Sequence, residues 1–249
     1  MVSVGQSPLS TLHCMPHPSG RPWIIAHRGA SLQAQENTVG AFRLAAELGA
    51  DAVELDVRRT ADHVLIVHHD ATAPGADRPI VAMTRAELAD CAPEIPDLVD
   101  ALAACAGMWV DVEVKNDPRD ADWDPGNDVT KAIIAGHGDA DIVLTSFNPQ
   151  SVAVASRAGL RTGLLVGRGV DPADAALPAA DAGHEMLLPH YSTLGGDHGE
   201  YIVVAGARAG IEIAVWTVDD RTEMVRLAGL GVGGIATNAP DVARSVLAP

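Results

Sequence analysis

Short apolar runs alternate along this chain with Ala- and Leu-rich stretches of helical period, and that alternation narrows the fold more than any other feature. The runs fall at residues 23–26, 52–57, 64–68, 109–114, 142–147, 162–166, 186–189, 211–216 and 234–237. Helical stretches read at 38–48, 96–106, 129–137, 149–158, 172–180, 199–209 and 222–228, with a short tail helix at 240–247. A strand that returns parallel to its predecessor needs a crossover, and a helix commonly fills it. One gap fails that requirement. Only RRTADH (58–63) separates the second run from the third, so the run at 64–68 reads as an antiparallel return over the mouth of the sheet. Removing it leaves eight strands. The expected fold is α/β, a single-domain (β/α)8 TIM barrel over residues 21–249 with a short hairpin excursion after strand 2. A doubly wound open sheet is the structural alternative, because periodicity does not close a barrel.

Helix punctuation agrees with these boundaries. Asn37 is placed to cap a helix starting at Thr38, and Gly49, Gly159 and Gly210 follow helical runs, where a positive φ costs glycine least. The chain has 249 residues, 47% hydrophobic and 20% charged, which is enough material for one large core. Residues 1–20 read as an irregular leader lacking the basic start and continuous apolar segment of a secretory signal. No apolar run of about 18 residues occurs, so a cytoplasmic protein without stable membrane insertion is expected. The net charge of −16 repels nucleic acid, and no Lys/Arg cluster reverses it locally. An anionic small molecule is still admissible, since a metal ion and a few basic residues can invert the potential inside one cleft. Cys14, Cys91 and Cys105 form an odd set without metal-ligand spacing, which argues against a disulfide framework or a thiol-rich metal site.

Candidate chemistry gathers at the ends of the predicted strands. In Glu54-Leu55-Asp56 the two acids share one strand face, and in a barrel that face is the axis. Two carboxylates buried side by side repel unless a cation compensates them, and oxygen ligands favour Mg²⁺ or Ca²⁺. The alternative puts them on the exposed face of an edge strand. Asp111-Val112-Glu113-Val114-Lys115 repeats the pattern: Glu113 is placed as a third ligand, Lys115 to hold a phosphate oxygen, and Asp111 deeper, paired with a basic group. His27-Arg28-Gly29 follows the apolar run WIIA. Arg28 offers a bidentate fork to phosphate and His27 a proton exchanger near neutrality. His69, after the return strand, supplies the complementary acid or base, while His68 should face oppositely. Trp216 can wall an alkyl or glycerol group, or simply pack in the core. The acidic loop NDPRDADWDPGND (116–128) reads as a lid or a solvated loop.

The motifs IAHRGA (25–30), QENTVGAF (35–42), GADAVELDV (49–57), VHHD (67–70), DVEVKN (111–116), TSFNP (145–149) and AVWTVDD (214–220) together resemble the glycerophosphodiester phosphodiesterase family. The resemblance runs over nearly all of residues 23–241 and keeps the family's motif order. It implies a barrel that hydrolyses a small-molecule glycerophosphodiester to glycerol 3-phosphate and an alcohol. It further implies one divalent ion, Mg²⁺ or Ca²⁺, on Glu54, Asp56 and Glu113, with His27 and His69 as the acid/base pair. Arg28 and Lys115 would bind phosphate, Trp216 would be the aromatic wall, and Glu36 would contact the metal or orient His27 or Arg28. The nucleophile is either the substrate's glycerol 2-hydroxyl, giving a cyclic phosphate, or water. Three departures stand out: Gln35 where the family commonly has proline, ATAPGADRP (71–79) after the H-D motif, and Asn238 where the family generally has Asp. The competing readings are a lysophospholipase D or sphingomyelinase D-like phosphodiesterase, and a non-catalytic glycerophosphodiester-binding barrel.

Overall fold

The computed structural model of the chain describes residues 20–137 and 140–247. Apart from Gly20, the expected leader lies outside the described residues, as does Cys14. Strands and helices alternate as β1 (Trp23–His27), α1 (Val39–Glu47), β2 (Ala52–Arg59), β3 (Leu65–Val67), α2 (Arg85–Cys91), α3 (Leu98–Ala104), β4 (Trp109–Val114) and α4 (Asp128–His137). They continue as β5 (Ile142–Ser146), α5 (Pro149–Arg157), β6 (Arg161–Val166), α6 (Pro172–Asp181), β7 (Met186–Pro189) and α7 (Gly196–Ala209). The last elements are β8 (Glu212–Val215), α8 (Arg221–Leu230), β9 (Gly234–Thr237) and α9 (Pro240–Leu247).

Eight of these strands pair in parallel around a ring, β1-β2-β4-β5-β6-β7-β8-β9, and β9 returns to β1, so the sheet closes. The open-sheet alternative is excluded. β3 pairs antiparallel with the upper part of β2, Val57 opposite Val67 and Arg59 opposite Leu65, which is the excursion that the RRTADH gap requires. Among the described residues no helix is long and apolar enough to cross a membrane.

Strand alternation sorts the side chains into two shells. Leu55, Val57, Val110, Val112 and Val114 face outward and join the apolar layer between sheet and helices. Trp23, Ile25, Ala52, Trp109 and Met186 face the axis and form an apolar plug. Trp23 and Trp109 meet edge to face within it, ring centroids 5.7 Å apart. Each of the three metal-ligand candidates lies further along the same inward face, so the polar site rests on this plug.

Two local expectations need correction. Asn37 does not cap α1. Thr38 does, its hydroxyl accepting from the Ala41 amide, while Asn37 takes a left-handed conformation (φ 56°) and is buried. Helix α2 was not anticipated, although Thr84 and Glu87 cap it reciprocally in a readable Ser/Thr-x-x-Glu pattern.

Gly163, on the inward face of β6, shows how tightly the plug is filled. A Cβ there would lie 2.5 Å from Leu188 Cδ1, 3.1 Å from Thr145 Cγ2 and 3.2 Å from Met186 Cβ. Gly163→Ala is therefore expected to lower the unfolding free energy by about 1–3 kcal/mol. Urea denaturation checks this; an unchanged midpoint would mean the plug has slack.

Candidate active site

The C-terminal ends of β1, β2 and β4 converge at one side of the barrel mouth. β2 presents Glu54 and Asp56, and β4 presents Glu113 directly opposite Asp56 in the strand register. One carboxylate oxygen from each of the three lies within 4.8 Å of the others. All three are buried, Asp56 completely. The edge-strand alternative for Glu54 and Asp56 is thereby excluded.

Cationic groups wrap this cluster. After β1 the chain turns left-handed at Arg28 (φ 58°) and Gly29 (φ 82°). The turn aims the Arg28 amide at Glu54 Oε2 (2.9 Å) and brings its Nε to 3.1 Å from Asp56 Oδ2. Gly29 is obligatory here, since a Cβ would fall 2.7 Å from the Ala41 carbonyl carbon. Arg28 Nη1 also donates to Glu36 Oε1 at 2.9 Å. Glu36 is therefore a half-exposed partner of Arg28 outside the acid triad. Lys115 donates to Glu113 Oε1 (2.6 Å) and stands 2.8 Å from Asp56 Oδ1. Asn37, for which the sequence offered no site role, donates from Nδ2 to Asp56 Oδ2 at 2.7 Å.

Electrostatics divide the acids. Burial first, then the neighbouring Asp56 and Glu113, push the Glu54 carboxyl well above its ordinary range. Burial likewise raises Glu113, against the pull of Lys115. Burial would raise Asp56 too, but Lys115 and Arg28 outweigh it and hold this carboxyl far below the usual range. Glu54 Oε1 is buried with no hydrogen-bond partner. An unpartnered carboxylate oxygen inside a triad of hard oxygen donors fits a divalent cation such as Mg²⁺ or Ca²⁺. Asp111 lies deeper, as expected, but its partner is not basic: Thr145 Oγ1 donates to it at 2.5 Å, and burial raises its pKa to about 7.

The two histidines have unlike partners. His27 Nδ1 donates to Asn238 Oδ1 at 2.7 Å, and the amide's own orientation is fixed because its Nδ2 donates to Asp219 Oδ2 at 2.7 Å. That leaves His27 Nε2 as the inward ring atom, 3.9 Å from Glu54 Oε2. Burial, aided by Arg28, lowers the His27 pKa. His69 is more exposed, and its Nδ1 bonds the Asp70 carboxylate at 2.7 Å. His68 faces away, as alternation requires, into a separate cleft with Glu36 and Asp70.

His27, Arg28, Glu54, His69, Glu113 and Lys115 line a single cleft of about 100 Å³, walled by Phe147, Leu165, Leu188 and Trp216. The Trp216 indole is locked by donation to the Leu188 carbonyl (2.8 Å) and meets Phe147 edge to face. An adjoining cleft of about 270 Å³ shares His69, Glu113, Lys115 and Phe147, extending the groove beyond His69. A larger groove of about 600 Å³, between Arg21, Glu212 and Leu247, brings none of the candidate residues together. Asn37, Asn238, Asp219 and Phe147 are the site residues without a role in the sequence reading. Asn37 adjoins Glu36 in the QENT motif and Asp219 is the first acid of AVWTVDD, so only their side-chain targets were hidden.

Comparison with known proteins agrees with this geometry. Residues 27–242 match the model of the glycerophosphoryl diester phosphodiesterase family. A glycerophosphodiester phosphodiesterase from Caldanaerobacter subterraneus subsp. tengcongensis is 30% identical over 239 residues, covering 88% of this chain and 94% of the relative. The crystal structure of a glycerophosphodiester phosphodiesterase from Parabacteroides distasonis superposes with a TM-score of 0.78 at 26% identity, over 91% of this chain and 96% of that one. A phosphodiesterase from Oleispira antarctica, solved with the product sn-glycerol-3-phosphate, shares the fold at 23% identity and a TM-score of 0.76, over 92% of this chain and 98% of that one. The chain belongs to the glycerophosphoryl diester phosphodiesterase family.

Proposed function

We propose that this site hydrolyses glycerophosphodiesters to glycerol 3-phosphate and an alcohol, using one divalent ion and the His27/His69 pair. Phosphodiester hydrolysis itself follows from family membership. The observation that carries the finer reading is the buried Glu54–Asp56–Glu113 triad, of which Glu54 and Glu113 line the same cleft as both histidines. When bound, the ion supplies positive charge against the phosphate oxygens.

The remaining work falls to side chains. Arg28 and Lys115 keep cationic charge at the triad, where a phosphodiester would enter, and contribute N–H donors to its non-bridging oxygens. His27 acts as general base. Its Nδ1 proton is committed to Asn238, burial keeps the ring neutral, and Nε2 carries the lone pair that accepts a proton from the nucleophile. His69 gives a proton to the departing alkoxide; its Nδ1 is taken by Asp70, which leaves Nε2 for the leaving oxygen. The apolar wall of Phe147, Leu188 and Trp216 takes the carbon skeleton of the substrate. The nucleophile is either the glycerol 2-hydroxyl or water, and detecting a cyclic glycerophosphate by phosphorus NMR separates the two.

Four outcomes test the proposal. His27→Ala and His69→Ala should each lower kcat by about 10²–10⁴-fold with thermal stability retained. Near-normal turnover in both would remove the mechanism. Glu54→Gln should weaken Mg²⁺ or Ca²⁺ binding in titration calorimetry. Glu54 is held protonated where an ordinary glutamate is ionised, so ion binding should release protons and tighten as pH rises. Binding enthalpies independent of the buffer's ionisation enthalpy would contradict that sign. Turnover of glycerophosphocholine should exceed that of lysophosphatidylcholine; the reverse order would favour a lysophospholipase D.

A further inference from the structure

The face of β2 that carries Glu54 and Asp56 continues to Arg58, at the edge of the adjoining cleft. Its side chain is buried (4% exposed) and each of its three nitrogens has a protein partner. Nη1 lies 2.6 Å from both oxygens of Asp122, Nη2 donates to Asp120 Oδ2 at 3.0 Å, and Nε donates to the main-chain carbonyl of His69 at 2.8 Å. A guanidinium engaged at every nitrogen is directed at the protein's own acids rather than at a phosphate.

The contact to His69 completes a two-point attachment. The Asp56 carbonyl accepts from the His68 amide at 2.9 Å, and Arg58 then holds the His69 carbonyl. Residues 68–69 are thereby tied at both ends to the strand that carries Glu54 and Asp56. β3 ends at Val67, so no strand pairing fixes His69 itself.

The acids on Arg58 are anchored in turn. Asp120 and Asp122 belong to the loop after β4, which was expected to be a lid or a solvated loop. Asn116, two residues beyond the end of β4, closes that loop on itself, donating to the Asp124 carbonyl at 2.9 Å and accepting from the Asp124 amide at 3.0 Å. Asp124 Oδ2 then accepts from the Val129 amide at the start of α4. Loop backbone and short polar contacts together thus connect the end of β4, which carries Glu113, to Arg58 and on to His69.

We infer that Arg58, clamped by Asp120 and Asp122, is a positioning residue that sets the distance of His69 from the Glu54–Asp56–Glu113 triad. The inference rests on the reading of His69 as the proton donor. Proton transfer in the transition state needs the donor within hydrogen-bond reach, and a misplacement of about 1 Å costs on the order of 100-fold in rate. A buried, doubly paired arginine is stiff enough to hold that tolerance. An exposed His69–Asp70 pair alone is not.

The experiment is a double-mutant cycle. Asp122→Asn removes the charge while keeping the shape, and Arg58→Lys keeps the charge but loses the fork. Each should lower kcat about 10- to 100-fold on glycerophosphocholine with KM changed less than about twofold. Each should leave Mg²⁺ and Ca²⁺ affinity unchanged by calorimetry, and amide exchange should quicken at residues 68–72 but not across the barrel strands. On a His69→Ala background the same substitutions should cost nothing further, because their effect passes through the missing imidazole. Equal losses on both backgrounds would overturn the inference, as would a change confined to KM or a uniform rise in exchange. If His69→Ala is itself near wild type, the reading of His69 as donor fails, whatever Asp122→Asn does.

Discussion

Three carboxylates that repel one another are held together at the mouth of this barrel, and the surrounding structure is arranged around that repulsion. Removing each ion from water costs several kcal/mol, and bringing them close raises the cost further. Strand geometry leaves no escape. Glu54 and Asp56 share one face of β2, β4 sets Glu113 opposite Asp56, and ring closure makes that face the interior. The apolar plug beneath excludes water from below. The strain is not shared evenly. Asp56 takes the contacts with Lys115, Arg28 and Asn37 and stays ionised, while Glu54 keeps an unpartnered oxygen and a raised pKa. Such a site is suited to a cation, which would offset a penalty already present in the fold.

The same constraint explains the unusual backbone at Arg28 and Asn37. Both have positive φ, an uncommon conformation for residues with side chains, and both direct donors at the buried acids. Local capping preference would put Asn37 at the N-terminus of α1. The unsatisfied Asp56 carboxylate is the stronger claimant, because a buried acceptor without a donor costs more than a lost cap, and Thr38 supplies the cap one residue later.

How much of this was legible from the sequence follows from the range of the interactions. Strand–helix alternation and the six-residue gap at 58–63 led to eight parallel strands with an excursion, because chain connectivity alone forbids a parallel crossover there, whereas closure depends on β9 pairing with β1 across the whole chain. Period-two alternation likewise put Glu54 and Asp56 on one strand face, and ring closure is what makes that face the interior. The partner of Asp111 was misjudged because it depends on the register between β4 and β5, which sets Thr145 opposite Glu113 and within diagonal reach of Asp111, and register is not a local property of either strand. Arg58 was passed over for a related reason. It shares the face of Glu54 and Asp56, yet its partners sit in an acidic loop some sixty residues away, where only the folded chain brings Asp122 within reach.

Asn238, at a position where the resemblance implies aspartate, becomes intelligible in this setting. A carboxylate at that position would touch His27 directly and add a further negative charge beside a crowded triad. The amide keeps the hydrogen bond to Nδ1, and hence the ring orientation and tautomer, without the charge. The negative charge is displaced one residue outward, to Asp219, which receives the Asn238 amide protons and also the Asn238 and Thr237 donors that fix the end of β9. Orientation and charge, which one aspartate would supply together, are separated here onto two residues. The consequence is a His27 held in position by the relay but not charged by it, which is the condition a general base requires at neutral pH.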